Sequence, residues 1–200
     1  MKQILILASI LVSSMNLFGQ TDGMIALNID NTVNEDKVTH ATGSAELPSS
    51  NAWKHIKTAR QYDQVSDINN AIKEYGIAIE LDNGIAEAFD YRAVCYIKLG
   101  KYNKAMDDLE NAIDINSGFV EAYNHLGIVN YWLKDYQGAI NFYTRAIAIN
   151  PTYATPYFNR AIVYLAMEED QKALKDLNKA KELNLDGVDP VIQEFFTEKK

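Results

Sequence analysis

The pattern of apolar and polar positions along Val120–Tyr153 predicts two amphipathic helices joined by a short turn. The apolar and small residues that define the two helical faces are Tyr123, Leu126 and Gly127, then Ala139, Tyr143 and Ala146. The segment closes near Asn150-Pro151, a pair that favours a turn because Asn bonds its own backbone and Pro cannot continue a helix. Similar residues appear 34 positions before and after, which indicates a repeat.

Aligned at 34 residues, four copies follow one another without a gap: 52–85, 86–119, 120–153 and 154–187. Small residues recur at the eighth, twentieth and twenty-seventh positions of the copies: Ala59, Ala93, Gly127 and Ala161; Ala71, Ala105, Ala139 and Ala173; Ala78, Ala112, Ala146 and Ala180. Large residues recur between them, for example at the twenty-fourth position: Tyr75, Leu109, Tyr143 and Leu177. Small residues in register predict that helix backbones approach closely at these points.

This pattern resembles the tetratricopeptide repeat family in its period and in most of its marked positions. The resemblance implies an all-α fold, a right-handed superhelical solenoid of antiparallel helix hairpins. The first and last copies depart most from the pattern, as expected of terminal repeats that face solvent on one side. Residues 188–200 carry an apolar stripe and are predicted to form a capping helix over the last copy.

The N-terminal region has the form of a secretory signal, with one basic residue, a short apolar run and small residues at its exit. We expect residues 1–19 to be a signal peptide cleaved near Gly19, and the protein to be exported to the periplasm or secreted. The apolar run is too short to span a bilayer, so no transmembrane span is expected in the mature chain. A buried N-terminal helix or an uncleaved anchor is the alternative. Residues 20–51 are polar and aperiodic, which predicts a flexible leader.

Charge and side-chain chemistry exclude several classes of function. The formal net charge is -8 and there is no dense Lys/Arg run, so nucleic acid is not expected as a partner. The three histidines, His40, His55 and His125, have no Cys, His or carboxylate at metal-ligand spacing, and no catalytic motif is present. We therefore expect no enzyme activity, no metal and no cofactor. The single Cys95 is predicted to be a small buried apolar residue.

The resemblance also implies a binding surface, because ligands of this family commonly lie along the concave face built by the first helices. Seven residues at the groove positions of the third and fourth copies are our candidates: Asn124, Ile128, Tyr131, Trp132, Phe158, Ile162 and Leu165. This mostly apolar and aromatic set predicts a protein or peptide partner. Two alternatives stay open for these residues, that the C-terminal helix covers them or that they belong to the core between repeats.

Two further points concern the kind of partner. The Lys and Asn residues of the family's carboxylate clamp are not matched in either register of this sequence, so binding of chaperone tails is not expected. A self-associating structural component of an envelope complex is the alternative function.

Overall fold

A computed structural model describes residues 50–196, and this part of the chain contains nine α-helices and no strand. In chain order the helices are α1 (Ser50–Gln64), α2 (Ile68–Leu81), α3 (Ala86–Lys98), α4 (Tyr102–Ile115), α5 (Val120–Trp132), α6 (Tyr136–Ile149), α7 (Ala154–Ala166), α8 (Asp170–Glu182) and α9 (Val188–Phe196). Each predicted copy is one antiparallel hairpin, and the hairpins stack into an all-α, right-handed superhelical solenoid. The predicted fold class is confirmed.

The first and second helices of the hairpins form two layers. Each first helix packs on the second helix of its own hairpin, and each second helix also packs on the first helix of the next hairpin or, for α8, on α9. Consecutive first helices also contact each other, α3 with α5 and α5 with α7, whereas no contact of that extent joins consecutive second helices in residues 50–196. The first helices therefore form the inner, concave layer, and α2, α4, α6 and α8 form the outer layer.

The small residues that recur in the sequence lie where the helices approach most closely. All eleven alanines at the three repeated positions are 0% exposed. The twelfth residue of the set, Gly127 of α5, faces Tyr143 of α6, and a Cβ atom on Gly127 would lie 2.4 Å from Cε1 of that ring. A larger side chain at these positions would overlap its neighbour, which is the predicted reason for their size.

The turn inside each hairpin has the same hydrogen bonds in all four copies. In the third copy, the N–H of Lys134 donates to the carbonyl of Tyr131 at 3.0 Å, and the N–H of Asp135 donates to the carbonyl of Asn130 at 2.9 Å. This is the Schellman arrangement, which ends a helix with one residue in the left-handed region. The left-handed residues of these four turns and their φ angles are Ser66 (60°), Gly100 (67°), Lys134 (66°) and Glu168 (60°).

The hydrophobic core is divided into two clusters. The smaller one is shared by α1, α2 and one face of α3, and includes Ile56, Tyr75 and Cys95. The larger one extends from α3 to the C-terminal helix. Ile79 of α2 packs against both clusters. The first hairpin is thus joined to the array by a separate set of apolar contacts.

The ends of the described region differ slightly from the predicted boundaries. Helix α1 begins at Ser50, so the predicted leader, residues 20–51, overlaps the first helical turn by two residues. The polar side chains there suit a first turn, where backbone N–H groups are still unpaired. The predicted signal peptide, residues 1–19, and residues 197–200 of the predicted cap lie outside the described residues. Among the helices of residues 50–196, none has the length and apolar character needed to cross a membrane.

Candidate partner-binding groove

Polar side chains join consecutive first helices along the inner layer in the N-terminal half of the array. Nζ of Lys98 lies 2.7 and 2.8 Å from the two carboxylate oxygens of Asp63. Nδ1 of His125 lies 2.7 Å from Oδ1 of Asp90, and both residues are 2% exposed. Both pairs are 35 residues apart, one repeat plus one position. The carboxylate that meets Nδ1 of His125 comes from the preceding repeat, so it could not be recognised from the residues adjacent to His125 in the sequence.

A third pair at the same spacing joins α5 to α7. Nδ2 of Asn159 donates to Oδ1 of Asn124 at 3.0 Å, and both residues are 0% exposed. The other amide atoms of the pair, Nδ2 of Asn124 and Oδ1 of Asn159, have no hydrogen-bond partner in residues 50–196. Leaving such a group unsatisfied costs about 1–3 kcal/mol. One donor and one acceptor thus remain unused at the seam between these two helices. Asn159 was not among our candidates, although it lies next to Phe158.

The structure places all seven predicted residues on α5 and α7, but it buries most of them. The buried residues and their exposed fractions are Asn124 (0%), Ile128 (0%), Tyr131 (5%), Ile162 (8%) and Leu165 (7%). Trp132 and Phe158 are half-buried. Burial arises because consecutive first helices pack directly on each other. Trp132 and Phe158 are therefore the two predicted residues that keep an appreciable part of their surface exposed, and the other five lie in the packing between repeats.

Trp132 is held by aromatic neighbours on both sides of the repeat boundary. Its ring stacks on Tyr102 of the second copy, with centroids 6.5 Å apart and planes 5° apart. It meets Tyr131 edge-on, with centroids 5.7 Å apart. Offset stacking and edge contacts of this kind fix the position of an aromatic ring. Trp132 thus presents its remaining surface in a rigid orientation.

The C-terminal helix α9 packs mainly on α8, the outer helix of the fourth copy. It therefore occupies the place of the next repeat's first helix and does not fold back over Trp132 on α5. Its residues Ile192, Phe195 and Phe196 are half-buried against the larger core cluster. Continuing the 34-residue register into α9 puts Ile192 and Phe196 at the fifth and ninth positions, where the fourth copy has Phe158 and Ile162. The cap thus continues the apolar character of these two positions beyond the fourth copy.

Burial keeps the Tyr131 hydroxyl and the Cys95 thiol protonated at neutral pH. Burial raises the pKa of Tyr131 to about 12, with a smaller contribution from Tyr136. Burial also raises the pKa of the Cys95 thiol to about 12, and this residue is 1% exposed, as predicted. No group of three or more potential metal ligands exists within residues 50–196. These side chains serve packing in the described part of the chain.

Comparisons with known families agree with this geometry. Residues 120–153 match the tetratricopeptide repeat, residues 95–133 match a second description of the same repeat, and residues 142–182 match a third. No curated protein matches the sequence.

Solved structures of similar fold include several repeat proteins. The crystal structure of MamA has a TM-score of 0.61 and 26% identity, covering 67% of this chain and 78% of that one. The thermophilic repeat protein TTC0263 of Thermus thermophilus has a TM-score of 0.62 and 20% identity, covering 66% of this chain and 74% of its own. The first repeat domain of Spaghetti (RPAP3), bound to the HSP90 peptide SRMEEVD, has a TM-score of 0.58 and 21% identity. It covers 60% of this chain and 95% of its own.

Proposed function

The chain is a tetratricopeptide repeat protein, and from this premise we propose that it is an exported scaffold that binds a peptide or helix of a partner protein in its concave groove. Proteins of this family are generally interaction scaffolds rather than enzymes, and we assign no catalytic activity to the groove. The binding site lies at the C-terminal half of the inner layer, between α5 and α9.

The observation that carries this proposal is the half-exposed aromatic surface of Trp132 and Phe158 on the inner layer. Rigid, partly exposed aromatic side chains are the groups that most often anchor an interface, because they bury a large area at a small cost in conformational entropy. The unpaired amide atoms of Asn124 and Asn159 lie on the same two helices. Both residues are 0% exposed, so these atoms belong to the packing of α5 against α7 and are not offered to a bound peptide.

The groove chemistry favours a segment with apolar side chains over an acidic chain terminus. The neighbour that binds SRMEEVD shares the fold, and its peptide carries acidic residues and a free carboxylate. Two positions that hold Lys or Asn in the family's carboxylate clamp are occupied in this chain by Asp90 and His125, which are paired with each other. Glu121 occupies another clamp position and adds a negative charge. An acidic terminus would thus meet carboxylates, whereas apolar side chains meet Trp132 and Phe158.

The test is selection of binding peptides from a displayed library, followed by affinity measurements on variants. Trp132→Ala and Phe158→Ala should each weaken binding by about tenfold or more, the loss expected of an anchor residue. Trp53→Ala is the matched control, because Trp53 is also a half-buried aromatic residue of the inner layer but lies in the first copy. Circular dichroism checks that Trp132→Ala still folds after losing its stacking on Tyr102. Equal affinity of wild type and both groove variants would refute the groove assignment.

Export is the second part of the proposal, and the sequence of residues 1–19 supports it. The intact mass and N-terminal sequence of the protein from its own host provide the test. We expect a chain that begins near Gln20 and is found outside the cytoplasm. A chain that begins at Met1 and stays in the cytoplasm contradicts the proposed export but leaves the proposed groove unaffected.

A further inference from the structure

The outer layer of residues 50–196 has three grooves, each between two consecutive second helices and floored by the first helix that packs on both. The last groove, between α6 and α8, is bridged by the guanidinium of Arg160. Its Nη1 donates to Oγ1 of Thr144 on α6 at 2.8 Å, and its Nε and Nη2 donate to Asp176 on α8 at 2.7 and 2.9 Å. The seventh position of a copy therefore lies between the twenty-fifth position of the preceding copy and the twenty-third position of its own.

The first groove, between α2 and α4, holds cations at the same two positions as the last groove. Arg92 donates to Asp108 at 2.7 and 2.8 Å, and its Nη1 lies 3.6 Å from the point where a Cβ atom on Gly76 would be. In both grooves a lysine at the nineteenth position also lies over a tyrosine at the eleventh. The ammonium nitrogen is 5.6 Å from the ring centroid for Lys104 and Tyr96, and 5.4 Å for Lys172 and Tyr164. Each of these two grooves thus contains two positive charges of this chain.

The middle groove, between α4 and α6, lacks both cations. At the seventh and twenty-third positions it has Leu126 and Phe142 in place of an arginine and its aspartate partner. At the eleventh and nineteenth positions it has Asn130 and Gly138 in place of a tyrosine and a lysine. The register shown by the two arginines places Glu110, the twenty-fifth residue of the second copy, beside Leu126. The middle groove therefore has a carboxylate on its α4 wall and none of the positive charges of its neighbours at these positions.

Two oxygen atoms point into the space that a side chain at Gly138 would fill. Oδ1 of Asn130 lies 2.7 Å from the point where a Cβ atom on Gly138 would be, and Oδ2 of Asp135 lies closer still. Both oxygens are acceptors, since Nδ2 of Asn130 donates to the carbonyl of Leu126 at 2.8 Å and Oδ1 of Asp135 accepts from the N–H of Gly138 at 2.9 Å. Oδ2 of Asp135 and the carboxylate of Glu110 accept no hydrogen bond from residues 50–196. A positively charged donor suits such acceptors best, because charge-assisted hydrogen bonds are the strong ones.

The other charged side chains around the middle groove do not supply the missing cations. The guanidinium of Arg145 lies over the Tyr123 ring at the fourth position, 5.9 Å from its centroid. Nζ of Lys134 lies 5.6 Å from the centroid of the Tyr131 ring. Exposed Asp114 adds a further carboxylate on α4. The groove is therefore acidic around its seventh and eleventh positions.

Apolar side chains line the middle groove between the two groups of acceptors. Leu126 is 2% exposed and forms part of the floor. Phe142 of α6 and Met106 of α4 are half-buried and pack against the larger core cluster. Met106 shares a face of α4 with Glu110, which follows it by four residues. A bound segment can therefore bury apolar surface between its contacts with the acceptors.

We propose that the middle groove of the outer layer is a docking site for a basic segment of another protein. One Lys or Arg of that segment pairs with Glu110, and a second enters between Asn130 and Asp135. Leu126 and Asn130 are about one turn of α5 apart, or about 6 Å. Basic residues two positions apart in an extended segment, or four apart in a helix, span this distance. The site lies on the opposite layer from the inner groove, so its occupancy does not depend on what that groove binds.

Selection from a displayed library of random peptides tests the proposal, with the full chain carrying Trp132→Ala and Phe158→Ala as the target. These substitutions remove the anchors proposed for the inner groove, so a failure of that proposal leaves this test unaffected. We expect peptides with two Lys or Arg residues at the stated spacing, and an affinity that falls as salt rises. Glu110→Gln and Asp135→Asn should each weaken the binding of these peptides by about tenfold. Asp67→Asn is the matched control, because Asp67 caps α2 as Asp135 caps α6, and Asn caps a helix as well as Asp does.

A variant that refills the groove provides a second test. Asn130→Tyr/Gly138→Lys gives the third copy the pair that the second and fourth copies carry, so it should fold and should lose the binding. Urea denaturation checks the fold, and the two conservative variants decide the matter if the refilled chain does not fold. The proposal is overturned by a library that yields no binding peptide or only peptides without paired basic residues. Affinities unchanged in Glu110→Gln and Asp135→Asn, or full binding by a folded refilled variant, overturn it as well.

Discussion

Gly127 is the position where the packing of this fold makes its sharpest prediction. In Gly127→Ala the new Cβ would lie 2.4, 2.6 and 2.7 Å from Cε1, Cδ1 and Cζ of Tyr143. Carbon atoms in contact are normally about 3.5–4.0 Å apart, so the ring has to move by about 1 Å. Tyr143 is 0% exposed and has no free space to enter without displacing its neighbours.

The expected magnitude follows from two opposing contributions. Forcing extra volume into a packed core costs about 1–3 kcal/mol, and this overlap is severe enough for the upper end. Replacing Gly by Ala inside a helix returns about 1 kcal/mol. We expect a net loss of about 2 kcal/mol in the free energy of unfolding, measured by urea denaturation. The melting temperature should fall by about 4–8 °C for a chain of this size.

Two further variants separate the clash from other effects. Gly76→Ala makes the same change inside α2, where the nearest atom to the new Cβ is Nη1 of Arg92 at 3.6 Å, so it should be neutral or stabilising. The double variant Gly127→Ala/Tyr143→Leu recreates the Ala and Leu pairing of the second and fourth copies and should recover most of the loss. Tyr143→Phe keeps the ring and should give no rescue. A Gly127→Ala protein as stable as Gly76→Ala would refute the reasoning.

Three other predictions concern stability. Glu168→Gly places glycine at a left-handed turn position (φ 60°) and should stabilise the fold by about 1 kcal/mol in urea denaturation; no gain would contradict the turn geometry. Asp176→Ala removes the carboxylate that accepts bonds of 2.7 and 2.9 Å from Arg160, and it should cost about 3 kcal/mol because a largely buried cation loses its partner. Lys179→Ala is the control, because the pair of Lys179 with Glu182 lies on the surface. Equal losses of stability in the two variants would rule out this explanation. Burial raises the pKa of Cys95 from 9 to about 12. The stability that the buried, protonated thiol contributes to the fold is therefore fully present below pH 9 and is lost as pH rises towards 12. Cys95→Val introduces the residue that the third and fourth copies have at this position. The variant should therefore lose less stability than wild type over this pH range in alkaline denaturation, and identical curves for the two proteins would contradict the prediction.

The architecture could be predicted from the sequence because the spacing of residues fixes it directly. The period of 34 residues and the recurring alanines specify which helix faces meet, and all those alanines are buried as expected. The turns inside the hairpins were harder to recognise in the sequence. Of the four left-handed positions in the turns inside the hairpins, only one is glycine. Ser66, Lys134 and Glu168 adopt the same conformation because the Schellman hydrogen bonds require it.

The candidate site was harder to predict because the sequence does not give the distance between consecutive first helices. Ile128 occupies a groove position by register, yet it is fully buried since α5 packs directly on both α3 and α7. Asp90 and Asn124 look like exposed polar residues, but each is buried with a partner 35 residues further along. An offset of one position from the repeat is the signal that would have found these pairs.

The division of the core has a consequence for how the array opens. Detaching the first hairpin breaks the smaller apolar cluster and the pair of Asp63 with Lys98, while the larger cluster from α3 to α9 stays intact. In repeat proteins each unit contacts only its neighbours, so partial unfolding can stop at such a boundary. The hairpin of α1 and α2 can thus open locally while the rest of the array stays folded. Because the chain that precedes residue 50 is joined to α1, a pulling force on it acts first on this hairpin and leaves the groove at the other end in place.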